Sequence, residues 1–436
     1  MLHMLALLHP MLAACQAGPA DEIGLARRSS EIRSSPFATL DSFEVHGEQD
    51  DPGVIESMAR LGVKHVVMHN IHMCLPDPTD RRLNAWIDGC AREGIEVRCI
   101  LCNRDPEFWR TALRNYGDRI KHWSYLNEPN GPDENNDHSN PVVRPDAYVK
   151  EIATVRRVMR EERPDCRLYG PELAMVQHIE EYPWPWVRLA IEAGLLNEID
   201  GFSIHPYRQG YSPSNVPENP STFGGEPTDR YRTYEEQIAT LREMTRQKPI
   251  VVNEVGWSTA PGGPITELTQ AKFALRQEIQ DFALGMECAT YFMIRERYPD
   301  APFPAGHFEN HTGITRTDNT PKPSYLALQA LYSQLDDDCT RAYPAVAFGR
   351  DGVKWYVFDN HAQSAPTRML FYWLPLPARD DFATEAVDVK LGDIAFAALP
   401  ISESPRMLRL TLEDGKWGRP VLVNLVARDV EHPAAT

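Results

Sequence analysis

At 436 residues, with 42% hydrophobic and 25% charged positions, the chain can bury a large core and has room for one big domain and a smaller one. Its formal net charge of −17, spread along the chain, repels phosphate backbones, which excludes nucleic acid as a partner and favours a neutral ligand.

Residues 2–14 are an apolar run, too short to span a bilayer but suited to the hydrophobic region of a signal peptide. Leu12, Ala13, Ala14 and Cys15 resemble a bacterial lipobox, so export is expected, to the envelope or beyond, with Cys15 as the candidate lipid anchor. Residues 16–35 show no periodicity and read as a linker, so 1–35 is assigned as leader and linker.

From residue 36 to 337 strand-like and helix-like segments alternate. The first strand is placed at 43–47, with 37–41 as its competitor. A short amphipathic helix follows at 53–61, and then a β-branched second strand at 63–69. A helix at 82–93 leads to a third strand at 95–103. Asp105 and Pro106 then open a helix, because Asp suits the N-cap and Pro suits the first turn. The fourth to eighth strands are expected at 120–126, 167–171, 199–205, 249–253 and 289–294. Helices at 146–161, 186–194, 233–246 and 266–284 separate them, and a closing helix lies at 324–335. The strands are nearly continuously apolar, as in a parallel sheet covered on both faces. The pattern predicts an α/β fold, a (β/α)8 TIM barrel over 36–337.

Beyond residue 337 the texture changes. Strand candidates at 353–359, 368–374, 386–390, 407–412 and 420–426 are separated by turn residues with no helix between them. This is the pattern of a C-terminal β-sandwich domain over 338–436.

In such a barrel the functional groups gather at the C-terminal ends of the strands. The fourth strand runs into Asn127, Glu128 and Pro129. The sixth ends in His205, Pro206 and Tyr207, and the seventh in Asn253, Glu254, Val255, Gly256 and Trp257. Two carboxyl groups on opposite sides of one mouth suit glycosidic bond cleavage, in which one protonates the departing oxygen and the other attacks or stabilises the anomeric centre. Neither glutamate is informative alone. Their conjunction, each after an Asn and each closing a strand, on strands four and seven of eight, carries the reading.

These motifs resemble those of clan-A glycoside hydrolases. Asn127-Glu128-Pro129 is similar to their acid/base motif, Asn253-Glu254 to their nucleophile strand, and His205-Pro206-Tyr207 to the His/Tyr pair after their sixth strand. The nearest likeness is to the β-xylosidase and exopolysaccharide endoglycosidase branch. The resemblance implies a retaining hydrolase of β-glycosidic bonds in oligo- or polysaccharides that needs no metal or cofactor. It further implies that Glu128 is general acid and then base, that Glu254 is the nucleophile, and that Asn127 bonds the sugar 2-hydroxyl. Tyr207 would donate to Glu254, His205 would shape the site near Glu128, and Trp257, with Trp123, would wall the sugar site. The chain departs from the clan by having no Arg at the end of strand two and no Trp at the end of strand eight.

Competing readings attach to particular residues. A silent carbohydrate-binding protein on the same fold is the alternative, and the two intact glutamates count against it. A metal-dependent barrel hydrolase would use His69, His72 and His205, but residues three apart on a strand face opposite ways. The same argument makes Cys99 and Cys102 buried structural residues rather than a redox pair. Glu44, Glu172 and Glu296 are further acids near strand ends, either substrate contacts or ion-pair partners.

Overall fold

A computed structural model describes residues 26–41, 52–69, 81–130, 143–174, 184–208, 214, 216–219, 233–297, 308–361, 366–381 and 383–426. The apolar leader and Cys15 lie outside the described residues, as do residues 43–47, Glu44 and His72. Among the described residues no helix is long and apolar enough to cross a membrane.

Eight parallel strands close into a barrel in sequence order: β1 Phe37–Asp41, β2 His65–His69, β3 Glu96–Leu101, β4 His122–Tyr125, β5 Arg167–Ala174, β6 Gly201–His205, β7 Ile250–Val255 and β8 Cys288–Tyr291. Pairing of Phe37 with Ala289 and of Ala38 with Thr290 shuts the ring between β1 and β8. The first strand is thus the competitor segment; its five residues are all buried, as a strand covered on both faces requires.

Helices α1 Pro52–Leu61, α2 Arg81–Arg92, α3 Pro106–Tyr116, α4 Pro145–Glu162, α5 Trp184–Glu192, α6 Leu195–Glu198, α7 Tyr234–Met244, α8 Glu267–Leu284 and α9 Pro323–Tyr332 belong to the same region. Local chemistry sets their ends. Asp105 caps α3 by accepting from the Glu107 amide at 2.9 Å, and Thr266 caps α8 by accepting from Thr269 at 3.1 Å. Gly285, at φ +68°, ends α8 in the left-handed conformation that an L side chain resists.

Residues 26–35 are not a free linker. Arg28 pairs with Glu56 and Glu93, Arg27 with Asp336, and Arg33 with Asp337 and Asp338, so this segment straps α1 and α2 to the chain just after α9.

The C-terminal region forms two antiparallel sheets. The larger holds β9 Cys339–Ala342, β11 Lys354–Asn360, β12 Thr367–Trp373, β15 Arg406–Glu413, β16 Lys416–Trp417 and β17 Val421–Asn424. The smaller holds β10 Val346–Phe348, β13 Glu385–Leu391 and β14 Ile394–Ile401. Alternation along the larger sheet divides its faces. Val357, Leu370, Tyr372, Leu408 and Leu410 meet Val387, Val389, Phe396 and Leu399 of the smaller sheet. Tyr356, Phe358, Met369, Phe371, Trp373 and Met407 instead join the core that runs through the barrel helices. Trp373 is therefore core, and its indole donates to Glu218 at 2.6 Å.

The contact with α8 is partly polar. The Arg276 guanidinium grips the Glu218 carboxylate and donates to the Leu376 carbonyl at 2.8 Å, and Lys272 pairs with Glu403 at 2.8 Å. Buried charges of this kind need a partner and further hydrogen bonds, and both have them. Cys99 is buried, with its thiol pushed well above its ordinary pKa by burial, and Cys102 is half-buried. The burial expected of both is thus found at Cys99, while Cys102 keeps part of its surface open.

Candidate active site

Glu128, His205 and Glu254 meet at the C-terminal mouth of the barrel, on the segments that close β4, β6 and β7. One oxygen of Glu128, one oxygen of Glu254 and a ring nitrogen of His205 all lie within 4.8 Å of one another. The Glu128 side chain is 32% exposed and that of Glu254 8%, so one carboxyl group faces the opening and the other sits deeper.

Backbone irregularities aim these groups. Leu126 and Glu128 adopt φ +58° and +41°, a region costing roughly 1 kcal/mol or more for a residue with a side chain. Asn130 secures this turn: its amide donates to the Ala174 carbonyl at 2.8 Å and accepts from the Ala174 N–H at 2.9 Å, clasping the end of β4 to the end of β5. On β7 the register against β8 shifts between Val252 and Val255. Consecutive residues Asn253 and Glu254 both reach the site there, as a bulge permits. Gly256 follows because a methyl group at that position would run into the Phe292 carbonyl.

Each carboxyl group has its own partner. Tyr207 Oη donates to Glu254 Oε2 at 3.2 Å, and His205 Nδ1 lies 2.9 Å from Glu128 Oε1 and 3.7 Å from Glu254 Oε2. The other ring nitrogen of His205 lies 2.9 Å from Glu172 Oε2. Burial alone would drive His205 toward its neutral form. Glu254, Glu128 and Glu172 surround it and win, holding its pKa well above the ordinary value.

Glu172 is the residue whose role the sequence left open. It is fully buried on β5, at φ +52°, where the register against β6 shifts between Gly170 and Leu173. It accepts from Ser203 Oγ at 2.6 Å and from Asn253 Nδ2 at 2.8 Å besides facing His205. The signal available in advance was Gly170-Pro171 inside a strand pattern, which marks a bulge.

Other residues fall elsewhere. Trp257 is 1% exposed, packed against Phe273 of α8 and Tyr291 of β8. Trp123 is fully buried, lies 6.0 Å from Trp109 and donates to the Ile120 carbonyl. Both rings belong to the core that runs through the barrel helices, and this burial favours packing over the expected sugar wall. At the end of β8 the aromatic group near the site is Phe292, edge-on to Tyr207 with ring centroids 6.4 Å apart. Asn127 lies beside Glu128, and its buried Oδ1 has no hydrogen-bond partner among the described residues. Glu296 pairs with Lys322 at 2.5 Å and lies 3.6 Å from His311, as an ion-pair partner.

Glu128, His205 and Glu254 are close enough to be considered as metal ligands. However, both ring nitrogens of His205 already face carboxylates, and its raised proton affinity opposes the neutral imidazole that a metal requires. Asp336, Asp337 and Asp338 also cluster, but each is already ion-paired, Asp336 with Arg27 and the other two with Arg33. The side chain of His69 lies outside the described residues.

No protein-family model matches the sequence, and no curated protein sequence does. Solved structures do. A family 39 glycoside hydrolase from the gut symbiont Bacteroides cellulosilyticus WH2 superposes with a TM-score of 0.59 at 16% identity, over 92% of this chain and 81% of that one. A monomeric β-xylosidase from Caulobacter crescentus CB15 gives 0.54 at 13% identity, over 82% and 79% of the two chains. A glucosidase from Croceicoccus marinus gives 0.53 at 15%, over 86% and 83%. At such identities the likeness is one of fold, and the closed eight-stranded barrel with its trailing antiparallel sheets is the fold of these glycoside hydrolases, in keeping with the clan-A resemblance of the motifs.

Proposed function

We propose that the protein is a retaining glycoside hydrolase that cleaves β-glycosidic bonds in oligo- or polysaccharides by double displacement. The observation that carries this reading is the approach of Glu128 and Glu254 to within 4.8 Å through one oxygen each. Retaining enzymes hold their carboxyl groups about 5–5.5 Å apart, whereas inverting ones leave about 6.5–9.5 Å for a water molecule.

In the first displacement, Glu254 attacks the anomeric carbon as the bond to the leaving oxygen breaks, and Glu128 gives that oxygen its proton. In the second, Glu128 takes a proton from water. The water oxygen bonds to the anomeric carbon, and the ester to Glu254 breaks. Tyr207 holds the attacking oxygen through its hydrogen bond. The free acceptor of Asn127 supports a bond to a sugar hydroxyl beside the reacting centre. The net charge of −17 supports neutral saccharides over polyanionic ones.

The test is a panel of aryl β-glycosides and oligosaccharides with wild type, Glu128→Ala and Glu254→Ala, the anomer of the first product being read by NMR. Turnover by wild type, loss in both variants and a β-anomer released first are expected. Absence of turnover by wild type at any pH would instead support a carbohydrate-binding protein that does not cleave. An α-anomer released first would rule out retention.

A further inference from the structure

His205 is a bridge between two carboxyl groups, one at the mouth and one beneath it. Nδ1 faces Glu128 Oε1 and Nε2 faces Glu172 Oε2, each at 2.9 Å, and the ring itself is fully buried. Glu172 is equally buried, and its other neighbours are donors: Ser203 Oγ at 2.6 Å and Asn253 Nδ2 at 2.8 Å. A group ringed by donors acts as an acceptor only, so the hydrogen on Nε2 has one place to point. The reacting carboxyl group thus rests on a chain running from β4 through β6 to β5.

We propose that Glu172 is a positioning residue that fixes the hydrogen of His205 on Nε2, leaving Nδ1 as the atom that exchanges a proton with Glu128. The inference rests on the glycosidase reading and deepens it. When the proton sits on Glu128, its O–H donates to a neutral Nδ1; when it sits on Nδ1, the imidazolium donates to the Glu128 carboxylate. The same single proton is shared in both states, Glu172 accepts from Nε2 throughout, and the leaving oxygen takes that proton from Oε1. After glycosylation the pair is one proton short, and the incoming water returns it.

The electrostatic sign is fixed by geometry. Among the described residues, the charged groups facing the ring are Glu128 after β4, Glu172 on β5 and Glu254 on β7, and the three acids favour the charged ring against burial. Removing the negative charge of Glu172 makes the Glu128–His205 pair hold its proton less tightly. The alkaline limb of kcat/KM therefore moves to lower pH. The effect is greatest for substrates with poor leaving groups, which depend most on the donated proton.

The experiment compares pH profiles of kcat/KM for wild type, Glu172→Gln and Glu172→Asp, on a dinitrophenyl and an alkyl β-glycoside, with Glu254→Gln alongside. In Glu172→Gln the alkaline limb should fall by about one pH unit or more, with a larger loss on the alkyl glycoside. Glu172→Asp, which keeps the charge, should return the limb toward wild type. An unmoved limb with equal losses on both substrates overturns the proposal, because that is what a merely structural residue would give. Wild-type turnover in Glu254→Gln overturns the glycosidase reading itself, which separates the two failures. Should the Glu172 variants not fold, ¹⁵N NMR of the wild-type His205 ring decides. A protonated Nε2 across the active pH range supports the proposal, and an unprotonated Nε2 overturns it.

Discussion

Tyr207 donates to Glu254 across 3.2 Å, joining the turn after β6 to the end of β7 and giving the deeper carboxylate a fixed donor. Hydrogen bonds to charged groups contribute about 1.5–3 kcal/mol. Tyr207→Phe should therefore lower kcat/KM on aryl β-glycosides by about 10- to 100-fold. Steady-state kinetics, with circular dichroism to verify folding, checks this.

Asn130 touches no reacting group, yet its amide makes both bonds to Ala174 that hold the Glu128 turn against β5. Asn130→Ala strands a buried N–H and a buried carbonyl, at about 1–3 kcal/mol each. A drop in thermal midpoint is expected, together with a fall in kcat larger than any change in KM. Calorimetry and kinetics on the same preparation measure the two effects.

Glu218 joins barrel and sandwich by holding Arg276 and the Trp373 indole. Glu218→Ala leaves a buried guanidinium without its counter-charge, which destabilises by about 3–5 kcal/mol. Glu218→Gln, which keeps an acceptor for the indole, should lose less. Chemical denaturation of both variants checks the order.

Two acids on α8 make stability fall as pH rises. Glu278 is fully buried, and neither of its carboxyl oxygens has a hydrogen-bond partner among the described residues; burial, helped by Asp281, pushes its pKa well above 4.5. Burial likewise raises Asp281 from 3.8 to about 6, against the bonds from Gln277 and Tyr234. A group whose folded pKa is raised stabilises fully below its unfolded pKa and loses that contribution as pH climbs to the folded value. For Asp281 the window runs from 3.8 to about 6, and for Glu278 it opens at 4.5 and extends upward. Glu278→Leu should melt above wild type by a margin that widens from pH 5 to pH 8. A constant margin would contradict this.

The sequence by itself determined the barrel and both glutamates. Continuous apolar strands need cover on both faces, which a barrel or a doubly wound sheet supplies; eight alternating units with no GxGxxG after the first strand favoured the barrel, and a closed parallel ring sends every strand end to one mouth. The strand count then placed Glu128 and Glu254 there without any coordinates. β10 Val346–Phe348 and β14 Ile394–Ile401 were missed because one is very short and the other mixes exposed and buried positions without clean alternation. Only the tertiary structure showed Trp257 and Trp123 buried among core rings, since a ring at the end of a strand can turn toward the mouth or the helices and the sequence does not say which. It likewise decided the place of Glu172, because a bulge reverses the side-chain alternation from which facing is read; Gly170-Pro171 hints at a bulge in the sequence, but which way Glu172 turns is fixed only once β5 and β6 are paired.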